Sequence, residues 1–326
     1  MKNFTSLILI PGITFGLAGV ANAATTEFSG FADLTYVLSD GITNGTSSTE
    51  GKFDVAAELD IETTVDPSIS ARIDLDFNTS TASTAGDDSG RIEQAFFDWK
   101  SKNEILVKGG VFNNPLGWEA EDAPDLYQVS HGQIYNLWNA TTDFYGNNVA
   151  GVAVSGTVGP IVLTGGFLND LAGVAEEQSL VGIVNFTPQN MKGFDVQLGF
   201  VTQDIGFETI VDFNVTFEKA RLLLGGELFL PSEVVDYGLG VTGVYKITDQ
   251  ISVTGRVDSV SYDIPGFGTA TSITFAGSYM LAKNLVVNAE IRINDSDFTP
   301  VNSAGFGCDV VACDGDLIQL EAIATF

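Results

Sequence analysis

Four carboxylates fall within seven consecutive positions, Glu119, Glu121, Asp122 and Asp125, inside the polar stretch Asn113 to Thr141, NNPLGWEAEDAPDLYQVSHGQIYNLWNAT. Fixed negative charge at this density attracts cations and repels anions. Trp118, Tyr127, Tyr135 and Trp138 surround the acids, and rings of that size would anchor the stretch against a wall. A second acidic set recurs at alternate positions, Asp54, Glu58, Asp60 and Glu62, then Asp74 and Asp76, with Arg72 among them. Covalent chemistry has little to work with. Ser130 and His131 are adjacent, and neighbours on an extended chain point apart, so they make no dyad. GxSxG, HExxH and phosphate-loop patterns are absent, and no enzyme activity is expected. Cys308 and Cys313, with four residues between them and no histidine nearby, read as a local disulfide. The acidic Asp314 to Asp316 is too short for a calcium loop, so neither a metal nor a cofactor is expected.

Alternate spacing belongs to β-strands, whose side chains point to opposite faces in turn. Over Gly51 to Thr64 the residues Phe53, Val55, Ala57, Leu59 and Ile61 share one face, and the acids take the other. After a tight turn at Val65 to Ser68, Ile69 to Asn78 repeats the pattern, so this hairpin carries all its carboxylates on one side. Glu27 to Leu38 and Asp316 to Phe326 alternate likewise. Further strands are expected at about 91–100, 104–112, 142–157, 160–169, 178–187, 193–203, 207–218, 220–230, 235–246, 251–262, 270–281 and 284–294. That makes sixteen, with fourteen or eighteen left open. Two strands fit poorly: Phe96, Phe97 and Trp99 crowd both faces of one, and Arg221 and Glu227 share a face with Leu223 and Phe229 in another.

Connections sort by length. Those after even-numbered strands are short, while Asp40 to Glu50, Thr79 to Gly90, Asn113 to Thr141 and Asp295 to Gly315 are long and polar. A β-sandwich has no reason to sort its loops this way; an up-and-down antiparallel barrel across a membrane does. Lys108, Arg256 and Arg292 fall on the acidic, inward side, and charges this dense inside a barrel require water. Tyr36, Trp99, Phe167, Phe200, Phe229, Tyr245, Tyr279 and Phe326 are placed to form interfacial girdles.

Composition agrees with one large β-structure. The chain has 36 Gly, 23 Phe and only 2 Cys in 326 residues. Mean hydropathy is modest at +0.20, as suits strands with one polar face. Phe144 to Asn169 runs 26 residues without a formal charge, yet its six glycines and Gly159-Pro160 make it a hairpin, not a membrane helix. Met1 to Ala23 has a basic start, an apolar middle and an Ala21-Asn22-Ala23 cleavage site, the pattern of a secretory signal peptide. The remaining 24–326, one domain, would carry 13 basic and 42 acidic residues, a charge of −29. Such a field excludes nucleic acid as a partner. A halophile's acidic surface would give the same total, so the location of the acids must decide.

The last strand, DLIQLEAIATF, ends on Phe326 after alternating apolar residues and resembles the closing strand of Gram-negative outer-membrane barrels. That resemblance implies outer-membrane lipid and lipopolysaccharide as surroundings, the barrel-assembly machinery as partner, Phe326 as an assembly signal, and both termini on the periplasmic side. A homotrimer is left open. The stretch 113–141 is the third loop on the long side, where sixteen-stranded general porins fold a loop inward to constrict the pore. By that likeness Glu119, Glu121, Asp122 and Asp125 are the candidate constriction, facing wall residues such as Asp54, Asp60 and Asp74; a solvated outer loop is the alternative. LVKGGVFNNPLGWE at Leu106 to Glu119 resembles the OmpL-like putative β-barrel porins at Gly110, Phe112, Pro115, Gly117 and Glu119. Together these imply passive diffusion of small hydrophilic solutes, with cations preferred. A closed structural or adhesive barrel acting through its loops is the competing reading.

Overall fold

The computed structural model describes residues 24–43, 46–78, 90–142, 146–171, 177–203, 207–264, 267–296 and 315–326. The expected signal peptide and the Cys308–Cys313 pair lie outside these residues, as does Asp314 of the Asp314 to Asp316 motif. Sixteen strands follow in order: β1 Thr25–Thr43, β2 Thr46–Asp66, β3 Ile69–Asn78, β4 Arg91–Lys100, β5 Leu106–Asn113, β6 Asn148–Val158, β7 Ile161–Asn169, β8 Gln178–Phe186, β9 Phe194–Thr202, β10 Thr209–Lys219, β11 Leu222–Pro231, β12 Val235–Lys246, β13 Ile251–Tyr262, β14 Thr269–Ala282, β15 Leu285–Ser296 and β16 Gly315–Thr325. Each pairs antiparallel with its sequence neighbours, and β16 pairs with β1 to close a transmembrane up-and-down barrel. Among the described residues no helix is long and apolar enough to cross a membrane. A closed barrel would cross with its strands.

Phe53, Val55, Ile73, Phe97, Leu163, Phe200, Leu239, Phe275 and Leu320 all stand exposed on the outer face. In water such a surface would be penalised, and in lipid it is the stable arrangement. Closure leaves no unpaired strand edge. Phe326 completes it: its backbone exchanges hydrogen bonds with Gly30 at 3.0 and 3.3 Å. A Cβ on Gly30 would stand 2.8 Å from the Phe326 ring and 2.1 Å from the Glu58 carbonyl oxygen, so only glycine lets the seam close.

Three sequence expectations change. Asp40 to Thr43 and Thr46 to Glu50 are strand, because β1 and β2 continue to the pair Thr43–Thr46. The strand expected from 142 begins at Asn148, and the helix α1 spans Gln133–Thr141, within the stretch expected as loop. Ile134, Leu137, Trp138 and Thr141 recur at helical spacing and are buried together, which is what holds so short a helix. Phe229 points inward instead of joining a girdle and is 0 % exposed. Its strand breaks the apolar-out pattern because the inner wall there is covered.

Candidate functional site

What covers it is the segment between β5 and β6. Leu116, Ile134, Leu137 and Trp138 pack with Val181, Ile183, Val201, Phe229 and Val260 in one buried apolar cluster against the inner wall. Trp138 meets Phe229 edge-on with ring centroids 5.0 Å apart. Glycines on the wall make the seats. A Cβ on Gly199 would fall 2.1 Å from Leu116, one on Gly225 would fall 2.0 Å from Trp118, and one on Gly238 would fall 3.1 Å from Ile134. Polar contacts fix the register: Trp118 Nε1 donates to Thr216 (2.9 Å) and Trp138 Nε1 to Glu227 (3.2 Å), while Thr254 donates to the Tyr127 carbonyl (2.7 Å). This side of the lumen is dry and filled.

At its tip the segment is held by a buried ionic network. Arg256, with its side chain 1 % exposed, donates to Glu119 (3.2 Å), Asp258 (2.8 Å) and the carbonyls of Ser130 (2.7 Å) and His131 (3.1 Å). Arg292 donates to the same His131 carbonyl at 2.8 Å. Glu290 accepts the amides of Val129 (2.7 Å) and Ser130 (3.1 Å) and also the Ser130 hydroxyl. His131 Nδ1 bonds Glu119 at 2.7 Å and its ring stacks on Tyr135 at 3.7 Å. Ser130 and His131 therefore serve different carboxylates.

The opposite side is wet and acidic. A cavity of about 310 Å³ opens toward the long-loop end, bounded on the wall by Asp33, Asp54, Glu58, Asp76, Glu93 and Glu321 and on the segment by Glu121 and Asp122. Among the described residues no Lys or Arg lines it. Lys52 pairs with Asp54 at 3.1 Å and Arg91 stands 3.9 Å from Asp76, so two bases lie at its rim. A second cavity of about 790 Å³ opens toward the short turns, lined by Asp60, Arg72, Asp125, Lys246, Asp249 and Lys283 among others. Both touch Phe31, Glu58, Asp122, Ala123 and Leu126, which form the neck between them. Carboxylate oxygens of Glu58, Glu93 and Asp122 lie within 4.8 Å of one another there, as do those of Glu58, Asp60 and Asp74. In these two groupings a cation would find several oxygens at once.

The four acids of the segment thus separate. Glu119 sits under the tip, where burial alone would raise its pKa; Arg256, His131 and the Gly132 amide together hold it below the usual carboxylate range. Glu121 and Asp122 face the first cavity, and Asp125 is exposed to the second. On the wall, Asp54, Glu58, Asp60, Arg72, Asp74 and Asp76 point inward as their alternation requires, and Glu62 is exposed nearer the turn. Arg72 binds Asp74 (2.6 Å) and Asp60 (3.0 Å); Lys108 binds Asp98 (3.0 Å). Arg256 and Arg292 also point inward, beneath the segment. Glu93 escapes the sequence pattern. A bulge opposite Asp74 and Leu75 lets Glu93 and Gln94 both bury inward, which breaks the alternation of β4 and adds a carboxylate at the neck.

No protein-family model matches the chain, and no curated protein matches it in sequence. Solved structures do. The outer membrane channel DcaP of Acinetobacter baumannii is 14 % identical, covering 95 % of this chain and 100 % of its own, with a TM-score of 0.66. OmpF of Salmonella typhi, in complex with daunomycin, is 13 % identical over 93 % and 98 %, with a TM-score of 0.69. An anion-selective porin from Comamonas acidovorans is 10 % identical over 93 % and 100 %, with a TM-score of 0.68. The chain has the porin fold. The likeness to OmpL-like porins stays at the residues that carry it, Gly110 to Glu119.

A fold shared with an anion-selective porin does not set the sign of a pore's charge; side chains do. Burial pushes the Glu121 carboxyl up to about 9, with Glu93 and Asp122 adding repulsion. Burial likewise pushes Asp122 up to about 6, with Asp125 adding repulsion and a bond from Glu58 opposing it. Glu121 is then neutral at pH 7, and Asp122 is charged. Cation preference in a bilayer should climb as pH rises from below 6 to above 9. Asp122→Asn should weaken the rise at its lower end and Glu121→Gln the rise at its upper end. A flat profile from pH 5 to 10 would show that neither group faces the ion path.

Proposed function

We propose that this chain is a porin of the Gram-negative outer membrane, passing small hydrophilic solutes by diffusion with a preference for cations. One observation carries the reading: eight carboxylates line the cavity at the long-loop end and none of the described Lys or Arg residues does. The filter is then electrostatic and sits beside the segment 114–147, with Asp122 and the wall acids Glu58 and Glu93 at the neck and Asp125 just beyond. Glu119 anchors the segment instead of facing the ions. Catalysis plays no part, because Ser130 and His131 are each committed to a different carboxylate.

The remaining assignments follow from the same reading. Residues 1–23 direct export and are removed, the long loops face outward, and both termini lie on the periplasmic side. Lipid and lipopolysaccharide surround the barrel, and Phe326 serves the assembly machinery.

Refolded mature chain in a planar bilayer, under a KCl gradient, tests this directly. Open steps with a cation-directed reversal potential are expected. A folded, inserted barrel that leaves the bilayer sealed would replace the porin with a barrel working through its loops.

A further inference from the structure

The two cavities differ in charge as well as in position. Eight carboxylates line the one at the long-loop end, and among the described residues no Lys or Arg lines it; Lys52 and Arg91 sit at its rim. The other, at the short-turn end, mixes five acids with Arg72, Lys246 and Lys283. Arg72 also engages Asp60 and Asp74, cancelling wall acids that would otherwise extend the negative stripe. The dry side adds nothing, since Arg256 is closed beneath the segment. Fixed charge therefore changes along the pore axis, with the step at the neck.

We infer that the pore is a cation rectifier: it conducts better when cations enter through the acidic long-loop end than when they enter through the short-turn end. This rests on the porin reading above. In the acidic half cations carry almost all the current, while in the mixed half both ions carry it. When cations are driven from the acidic half toward the mixed half, they arrive at the neck faster than cations alone leave it. Anions moving the other way stop at the same place. Salt accumulates in the mixed half and conductance rises; reversing the field depletes it. No net transport occurs at equilibrium, so the asymmetry acts only on driven flux. Its functional sense is faster admission of cationic solutes from the long-loop side.

The effect needs charges that reach across the pore. Screening lengths are about 10 Å at 0.1 M salt and about 3 Å at 1 M, so rectification belongs to dilute solution. The test is single-channel current at equal voltages of both signs in symmetric KCl. Channel orientation is fixed by the side on which an antibody to a tag in the 101–105 turn suppresses current. At about 0.1 M the current with the long-loop side positive should exceed the reverse by roughly 1.5-fold or more, and the ratio should fall toward one at about 1 M. Lys246 and Lys283 are exposed at the short-turn end, so the double variant K246E/K283E should fold. It should bring the ratio toward one while raising cation preference, a pair of changes that general damage to the pore would not give. Symmetric currents with a cation-directed reversal potential would overturn the rectifier and leave the porin standing. So would a ratio unmoved in the double variant. Absence of any conductance from inserted barrels would remove both.

Discussion

Arg256→Ala should release the segment 114–147 from the wall, lowering the barrel's thermal stability and raising its single-channel conductance. Arg256 satisfies two carboxylates and two backbone carbonyls from a site that is 1 % exposed. Removing it leaves Glu119 and Asp258 buried without their counter-charge, a loss that costs about 3–5 kcal/mol when a buried pair is broken from one side. The carbonyls of Ser130 and His131 lose a donor in the same step, so the tip loses much of its polar anchorage, although Arg292 and Glu290 still hold part of it. Arg256→Lys should recover little. A lysine has three donors and no planar fork, so it cannot span contacts that Arg256 makes from Nε, Nη1 and Nη2. The temperature at which the folded band disappears on cold-loaded gels reads the stability, and the bilayer reads the conductance. A variant with the parent's melting and conductance would mean that the apolar cluster alone holds the segment.

Alternation is a reliable guide where both faces of a strand meet uniform surroundings. β2, β3 and β16 have lipid-facing residues on one side and open lumen on the other, so Phe53 to Ile61 and Ile318 to Phe326 show their faces in the sequence. β11 does not, because its inner face meets Trp118 and Trp138 as well as polar neighbours; Leu223, Glu227 and Phe229 all belong inside. Its mixed face is the imprint of a segment more than eighty residues away in the chain. β4 is obscured differently, by one inserted residue at Glu93 that shifts the register. The helix α1 had a signal in the three- and four-residue spacing from Ile134 to Thr141, hidden among Gln, Asn and Gly residues that read as loop.

The site was legible only as a quantity of charge. Four acids in seven positions are visible to any reader, but their fates depend on partners remote in sequence. Glu119 is neutralised by Arg256, 137 residues on. Glu121 loses its charge at neutral pH because the segment buries it, with Glu93 and Asp122 adding repulsion. Spacing cannot report either event, since both arise from where the wall's own side chains meet the segment. The glycines were equally ambiguous. Gly199, Gly225 and Gly238 resemble ordinary strand glycines until Leu116, Trp118 and Ile134 are seen to occupy the space a side chain would need.

Neutralising the neck should then have a larger effect on selectivity than neutralising any single acid of the segment. The triple variant E58Q/E93Q/D122N keeps side-chain size at the three positions whose oxygens lie within 4.8 Å of one another. A unit charge about 4 Å from a passing cation is worth about 1 kcal/mol even in bulk water, which is about fivefold in cation occupancy. Loss of one full charge should therefore lower the potassium-to-chloride permeability ratio by roughly threefold or more, after screening by about 0.1 M salt. Glu119→Gln is the informative contrast. Its carboxylate is already paired with Arg256 and with the Gly132 amide, so the substitution should loosen the tip while moving the permeability ratio little. The reverse result, with Glu119→Gln abolishing selectivity and the triple variant sparing it, would place the ion path on the side of the lumen that the segment fills. That outcome would require the segment to swing away from β13 in the open channel, exposing Arg256 to the permeating ions and weakening the cation preference itself. On the proposed reading, selectivity and anchoring are thus separable by two variants, because Asp122 faces the open cavity while Glu119 lies under the tip against Arg256.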